Sequence, residues 1–360
     1  MGALLGLGLS HFPPLAFPDE AMAAALRFTL EDPDLPEHLR QPDGWPEEMR
    51  SEWGGDEGLE AAAAHRAALI AGCERIRDAI EDFAPDALVI LGDDQYENFH
   101  EDVIPAFTVL AYDDREAKPW SPEQSTRGVL PPDNVWSEPP DTSFLVRGRP
   151  DIGRELVTAL LADDIDVAYA YEPLHHPGIP HAFMNTVLFL DYYRKGFEHP
   201  VVPIALNCYG RRVISRKGTI SRFADDTPLD PPSPRPERVM MLGAALARAA
   251  VAGSWRLALV ASSSWSHAFL CDHTARLHPD TPADERLYRA LVARDWATWR
   301  ATTLDDVEHA GQQELLNWFA LAGAMEQVDA PLVWSELVET AIFNSNKVFA
   351  IFGAVESGRP

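Results

Sequence analysis

The sequence predicts an α/β fold: a mostly parallel central sheet flanked by helices, with long proline-rich loops. Three observations predict it. Short apolar runs alternate with longer stretches at helical spacing. Several of those runs are apolar at every position and end abruptly in polar residues, the pattern of a parallel strand buried on both faces. Finally, no linker and no short repeat divides the 360 residues, so residues 1–360 are expected to form one domain.

In chain order, residues 3–9 form a first strand that delivers Ser10 and His11 at its end, and Pro13-Pro14 excludes helix behind them. Residues 19–60 are an excursion rich in Pro, Trp and acidic residues. It holds a short helical piece at 21–30 and packs on the body through Trp45, Trp53 and Leu59. Residues 61–83 have Ala, Leu and Ile at helical spacing and stop at Ala84-Pro85. Strand two, 88–91, opens into Asp93-Asp94-Gln95. Residues 103–110 read as a further strand or a strand-like lid. The second excursion, 113–150, is a loop of functional length, with Arg127, Trp136 and Arg147 as lid residues. A helix at 152–161 and a strand at 167–170 follow, then a histidine-rich turn carrying His175, His176 and His181, with the next helix starting at 184. Beyond it come a strand at 201–206, a polar excursion at 211–236, a helix at 239–252 and a strand at 256–261 ending in Ser266-His267. The rest, from about residue 284, is expected to be mainly helical.

Composition narrows the function. A formal charge of −26 argues against nucleic acid or an anionic membrane surface as partner. No apolar run is long enough to span a bilayer, and the N-terminus lacks the basic start of a signal peptide. Cys73, Cys208 and Cys271 have no metal-type spacing and suit buried, reduced thiols in a cytoplasmic protein.

The chemistry gathers at strand ends. His11, the group Asp93, Asp94 and Gln95, then His175, His176 and His181, and Ser266 with His267 all fall there. One such histidine is most simply a hydrogen-bonded structural residue. Several at one sheet edge, beside carboxylates, point to a metal site or to proton transfer. A serine hydrolase is disfavoured, because Ser262-Ser-Ser-Trp-Ser266 lacks the glycine-flanked elbow.

Five short patterns in order carry a resemblance. They are Ser10-His11-x-Pro, the strand ending Asp94-Gln95-x-x-x-Phe99 with Ile104-Pro105-x-Phe107 behind it, His181 before a helix, Ser266-His267 after a strand, and Glu314-Leu-x-x-Trp318. Together they resemble the class III extradiol ring-cleavage dioxygenases, with the catalytic subunits of protocatechuate 4,5-dioxygenases as the best comparison. The resemblance implies a non-heme Fe(II) enzyme, Mn or another divalent metal being the alternative, that opens a catechol or related hydroxylated aromatic with O₂. It places metal ligands at His11, Gln95 and Glu314, the acid/base histidine at His267 and a helper histidine at His181. The family has a second iron-binding histidine where this chain has Gln95. Three arrangements are open there. Gln95 ligates through its carbonyl oxygen; Asp94, Asp93 or one of His100, His175 and His176 takes its place; or the metal is lost or changed, leaving a ligand-binding protein or a metal-assisted hydrolase. The companion small subunit of the protocatechuate enzymes is not part of this chain; the 19–60 excursion is expected to fill some of that space, and apolar loop residues lead us to expect a homodimer.

Overall fold

The computed structural model describes residues 2–122, 124, 133–211, 223 and 228–356. In chain order the strands and helices are β1 (Ala3–Leu9), α1 (Ala24–Leu30), α2 (Glu47–Trp53), α3 (Leu59–Phe83), β2 (Ala87–Asp93), β3 (Phe107–Leu110), β4 (Arg115–Ala117), β5 (Phe144–Val146), α4 (Pro150–Ala162), β6 (Ala168–Ala170), α5 (His181–Leu190) and β7 (Val201–Leu206). They continue with α6 (Pro236–Ala252), β8 (Arg256–Ser262), α7 (Thr281–Ala293), α8 (Trp296–Ala301), α9 (Leu304–His309), α10 (Leu316–Gln327), β9 (Leu332–Val338), β10 (Lys347–Phe352) and β11 (Val355–Glu356).

The central sheet runs β6-β3-β7-β2-β8-β1-β10-β9, with β11 also paired to β1. Its heart, β7-β2-β8-β1, is parallel throughout. The outer part mixes directions: β3 is antiparallel to β7, and β10 and β9 close the other side antiparallel. Four parallel neighbours send four C-terminal ends to one edge, where ligands of open α/β sheets collect.

Side chains explain the two helical layers. Along β2, Ala87, Val89 and Leu91 face the core made with α4, α6 and α10, while Leu88 and Ile90 face α3 and α5. That alternation buries both faces, which is why the strand reads as a continuous apolar run. In β1 the outward-facing positions on the α10 side are Gly6 and Gly8. A Cβ on Gly6 would stand 2.2 Å from Met325 and one on Gly8 2.1 Å from Trp318, so only glycine lets α10 lie this close to the sheet. Trp318 uses that space to donate from its indole to the Ser263 carbonyl at 3.2 Å, which fixes the start of α10 against the end of β8.

Several expectations need correction. The C-terminal region is not mainly helical to its end: β9, β10 and β11 extend the sheet. Their signal, Val333-Trp-Ser-Glu-Leu-Val and Val348-Phe-Ala-Ile-Phe, is rich in β-branched and aromatic residues. Helix α5 begins at His181 rather than 184, because the Glu97 carboxylate accepts the His181 backbone amide that a helix start leaves without a partner. In the 103–110 segment only Phe107–Leu110 is strand. The 113–150 excursion contains a two-stranded ribbon, β4 with β5. In the 19–60 excursion Trp45 is buried as expected, but Leu59 is exposed. Trp136 is tied to the body through the Tyr192 carbonyl, and Arg147 sits near Glu198 at the surface. Arg127 lies outside the described residues, as does most of 211–236. All three cysteines are buried and free. Among the described residues no helix is long and apolar enough to cross a membrane.

Candidate metal centre

The four parallel strand ends and two helix starts converge on one buried cluster. His11 follows β1, Asp93 ends β2, Tyr209 follows β7, and His267 follows β8; His181 opens α5 and Glu314 lies one turn before α10. The histidines, Asp93 and Glu314 are each at most 5 % exposed, so water does not compete for their polar atoms.

Each histidine has one ring nitrogen tied back to the protein. His11 Nδ1 donates to the Ser262 carbonyl at 2.8 Å, His267 Nδ1 to the Trp265 carbonyl at 2.9 Å, and His181 Nδ1 to Glu97 Oε2 at 2.7 Å. Anchoring Nδ1 in this way sets the tautomer and aims Nε2 into the pocket, as second partners of metal-bound imidazoles do. His11 Nε2 lies 3.6 Å from Asp93 Oδ1 and 3.9 Å from Glu314 Oε2. Ligand atoms about 2 Å from a shared cation stand roughly 3–4 Å apart. His11, Asp93 and His181 each offer an atom, all within 4.8 Å of one another.

The donor set fits a divalent cation. Asp93 is fully buried, yet neither of its oxygens has a hydrogen-bond partner among the described residues. A buried carboxylate without donors is costly. Here two imidazole nitrogens and a second carboxylate share its space, which is the mixed nitrogen–oxygen environment of non-heme iron and similar metals.

Glu314 is divided between two tasks. Its Oε1 accepts from the Tyr209 hydroxyl in a very short hydrogen bond and from Gln95 Nε2 at 3.2 Å, with His267 Nε2 3.3 Å away; its Oε2 is the atom facing His11. Gln95 Nε2 also reaches the Tyr209 oxygen at 2.6 Å. Gln95 thus presents its amide nitrogen to the Tyr209–Glu314 pair. Asp94 accepts the backbone amides of Glu97, Asn98 and Phe99, shaping the loop that carries Glu97. His175 lies near the surface against Asp102, stacked on His100, and His176 is buried with Nδ1 accepting from Gly178. None of these three histidines joins the cluster around His11. Glu97 and Tyr209 were not singled out from the sequence. Glu97 had a signal, since it stands in the same polar strand end as Asp94, whereas Tyr209 had only its place after a strand.

Burial dominates the electrostatics. It pushes the Asp93 carboxyl well above the usual range, and the neighbouring Glu314 charge adds to it. It lifts Glu314 to about 7 against its hydrogen bonds from Tyr209 and Gln95. For His181 burial opposes the charged form, but Glu97, Asp93 and Glu314 outweigh it and raise the imidazole to about 9. His11 is pushed down by burial and by His181.

These shifts set the pH dependence of the metal-free protein. A group whose folded pKa is raised stabilises the fold below its unfolded pKa and loses that contribution as pH rises through the folded value. Glu314, moving from 4.5 to about 7, accounts for a decline on the order of 3 kcal/mol over that window. Asp93 acts in the same direction, and His181 extends the decline toward its folded value of about 9. The depressed histidines His11 and His267 act in the opposite sense up to about pH 6.5, so the effect of added metal is the discriminating readout. A divalent cation is expected to raise the melting temperature, and by more at about pH 8 than at about pH 5, because the carboxyls that would hold it must first lose their protons. A melting temperature indifferent to metal at about pH 8 would contradict the assignment of a cation to this cluster.

No protein-family model matches the chain. Among curated proteins it is 26 % identical over 204 residues to a 2,3-dihydroxyphenylpropionate/2,3-dihydroxicinnamic acid 1,2-dioxygenase of Paraburkholderia phymatum. The match covers 55 % of this chain and 50 % of that protein, so the chain spans about half the length of the curated relative it matches. That relative is an extradiol dioxygenase, and the likeness agrees with the motif resemblance at the level of the superfamily, without favouring the protocatechuate branch.

Proposed function

We propose that this chain is a metal-dependent ring-cleavage dioxygenase, using Fe(II) to open a catechol or related hydroxylated aromatic with O₂. The observation that carries the reading is the convergence of His11, His181, Asp93 and Glu314 on one buried point, with His267 alongside. The distant relative supports the reaction class, and its named substrates suggest a catechol bearing a carbon side chain. Three buried free thiols suit a reducing, cytoplasmic setting.

In this reading His11, His181 and Asp93 hold the metal, with Glu314 Oε2 as a further donor. The bound metal supplies a Lewis acid that acidifies the substrate hydroxyls and a redox partner for O₂. Everything else is done by the chain. His267 takes a proton from a ring hydroxyl at Nε2 and returns it later, its Nδ1–H remaining on the Trp265 carbonyl. Burial, then Lys347, hold its imidazole down at about 3 in the free protein, so Nε2 is unprotonated before substrate arrives. Tyr209 and Gln95 hold Oε1 of Glu314, which keeps Oε2 turned inward. Glu97 keeps His181 aimed in the same way. A narrow cleft lined by Phe17, Trp120, Ile179, Met184 and Asn185 reaches His181 and offers a partly aromatic, mixed-polarity approach for the substrate.

A metal-assisted hydrolase is the second reading, favoured by Asp93, because two carboxylates make a harder donor set than two histidines with one. Anaerobic purification, metal analysis and O₂ uptake with a panel of catechols, 2,3-dihydroxyphenylpropionate included, separate the two. Stoichiometric iron and O₂ consumption with a semialdehyde product are expected. Turnover of esters or amides without O₂ would replace the dioxygenase by the hydrolase, and failure to bind any divalent metal would overturn both.

A further inference from the structure

We propose that Asp284 is a positioning residue that sets the spacing of His267 and Glu314 from behind the pocket. The proposal deepens the ring-cleavage reading and rests on it for its kinetic consequences. Asp284, in α7, is fully buried and touches neither the metal cluster nor the substrate cleft. Its carboxylate accepts hydrogen bonds from three separate chain segments. Ser266, the residue before His267, donates through its backbone amide at 3.1 Å and its hydroxyl at 2.5 Å. Gln312, two residues before Glu314, donates through Nε2 at 2.7 Å. Asn346, at the entrance to β10, donates through Nδ2 at 2.9 Å.

The same three segments are laced by main-chain bonds. The His267 amide donates to the Gly311 carbonyl at 2.8 Å, the Trp265 amide to the Asn346 carbonyl at 2.9 Å, and His267 faces Ser345 in an antiparallel bridge. Asp284 is the one side chain among the described residues that grips all three. Among them no lysine or arginine forms an ion pair with it, so hydrogen-bond donors alone stabilise its buried charge. Burial lifts its carboxyl to about 6, and the Ser266, Gln312 and Asn346 donors oppose the lift. A carboxylate has the lone pairs to take all four donors at once, which a serine, asparagine or apolar residue does not. His267 Nε2 and Glu314 Oε1 are 3.3 Å apart, and a change in the shared anchor alters that separation directly.

Asp284→Asn tests this in the iron-loaded enzyme. The amide keeps the shape but turns an NH₂ toward Gln312 or Asn346, donor against donor. kcat is expected to fall about a hundredfold, the cost of a displacement near 1 Å, with KM and iron content within about twofold of wild type. Adding Gln312→Glu restores a donor–acceptor match and is expected to recover at least about tenfold. Ser266→Ala, a milder change that loses only the hydroxyl bond, should lower kcat in the same manner if the first variant folds poorly. The Nε2 resonance of His267 in metal-free protein, read by long-range ¹H–¹⁵N correlation, provides a measurement independent of turnover. If wild type cleaves no ring yet Asp284→Asn moves this signal and leaves His273 unmoved, the positioning role stands and the proposed activity fails. An unchanged His267 signal overturns the role, as does a kcat loss that comes with equal losses in KM, iron content and melting temperature and is not rescued.

Discussion

Replacing His267 with alanine is expected to lower kcat for ring opening by about 10²- to 10⁴-fold, the range that one well-placed acid/base group supplies. Metal content is expected to stay at the wild-type level, because the pocket-facing contact of His267 is with Glu314 Oε1, on the side of the carboxylate already held by Tyr209. The pH profile makes the test sharper. With its imidazole held down at about 3, first by burial and then by Lys347, His267 is already neutral where the acid limb of kcat/KM falls. That limb belongs to the groups that must lose a proton before a metal is held, Glu314 at about 7 and His181 at about 9 among them. The alanine variant should therefore lower the whole profile without moving its acid limb. Activity within about fivefold of wild type would remove His267 from the chemistry. A limb that moved with the substitution would show that His267 titrates in the working range.

How much of this was legible in the sequence depends on what each residue answers to. The parallel strands were readable because burial on both faces leaves one kind of signal, an uninterrupted apolar run, and β7 begins and ends where that run does. The C-terminal strands β9 and β10 were not read. The edge strand β9 has its alternation broken by half-buried positions, β10 between β1 and β9 is a short buried run, and both follow a long helix that invites more helix. His11 and His267 were singled out because they stand at strand ends, and Glu314 through the family resemblance alone; the structure brings all three into one cluster. The partners that aim them were not found, since a hydrogen bond from Ser266 to Asp284 spans 18 residues and one from Tyr209 to Glu314 spans 105. No local pattern marks such pairs. The start of α5 shows the same limit on a smaller scale: Glu97, 84 residues upstream, provides the carboxylate that lets the helix begin at His181.

The ligand question raised by Gln95 is decided by comparing it with Asp93. Asp93→Asn is expected to weaken divalent-metal binding by more than about a hundredfold, whereas Gln95→Leu should stay within the roughly 10- to 100-fold band of residues that only orient a ligand. Stability gives the comparison opposite signs. Asp93 is a buried carboxylate whose oxygens accept no hydrogen bond among the described residues, and burial with Glu314 nearby holds its proton on well above the usual range. Such a group costs stability as pH rises toward 8, so exchanging it for the neutral amide should raise the melting temperature of metal-free protein there. The same exchange should shrink the rise that metal gives to wild type, because the charge that repaid the burial is gone. Gln95→Leu removes donors from Tyr209 and Glu314 and should lower the metal-free melting temperature instead. Calorimetry at about pH 8, with and without Mn²⁺, reads both signs in one series. If Gln95→Leu abolishes binding while Asp93→Asn leaves it intact, the cation sits on the glutamine side of Glu314, and Asp93 is a buried acid that keeps its proton.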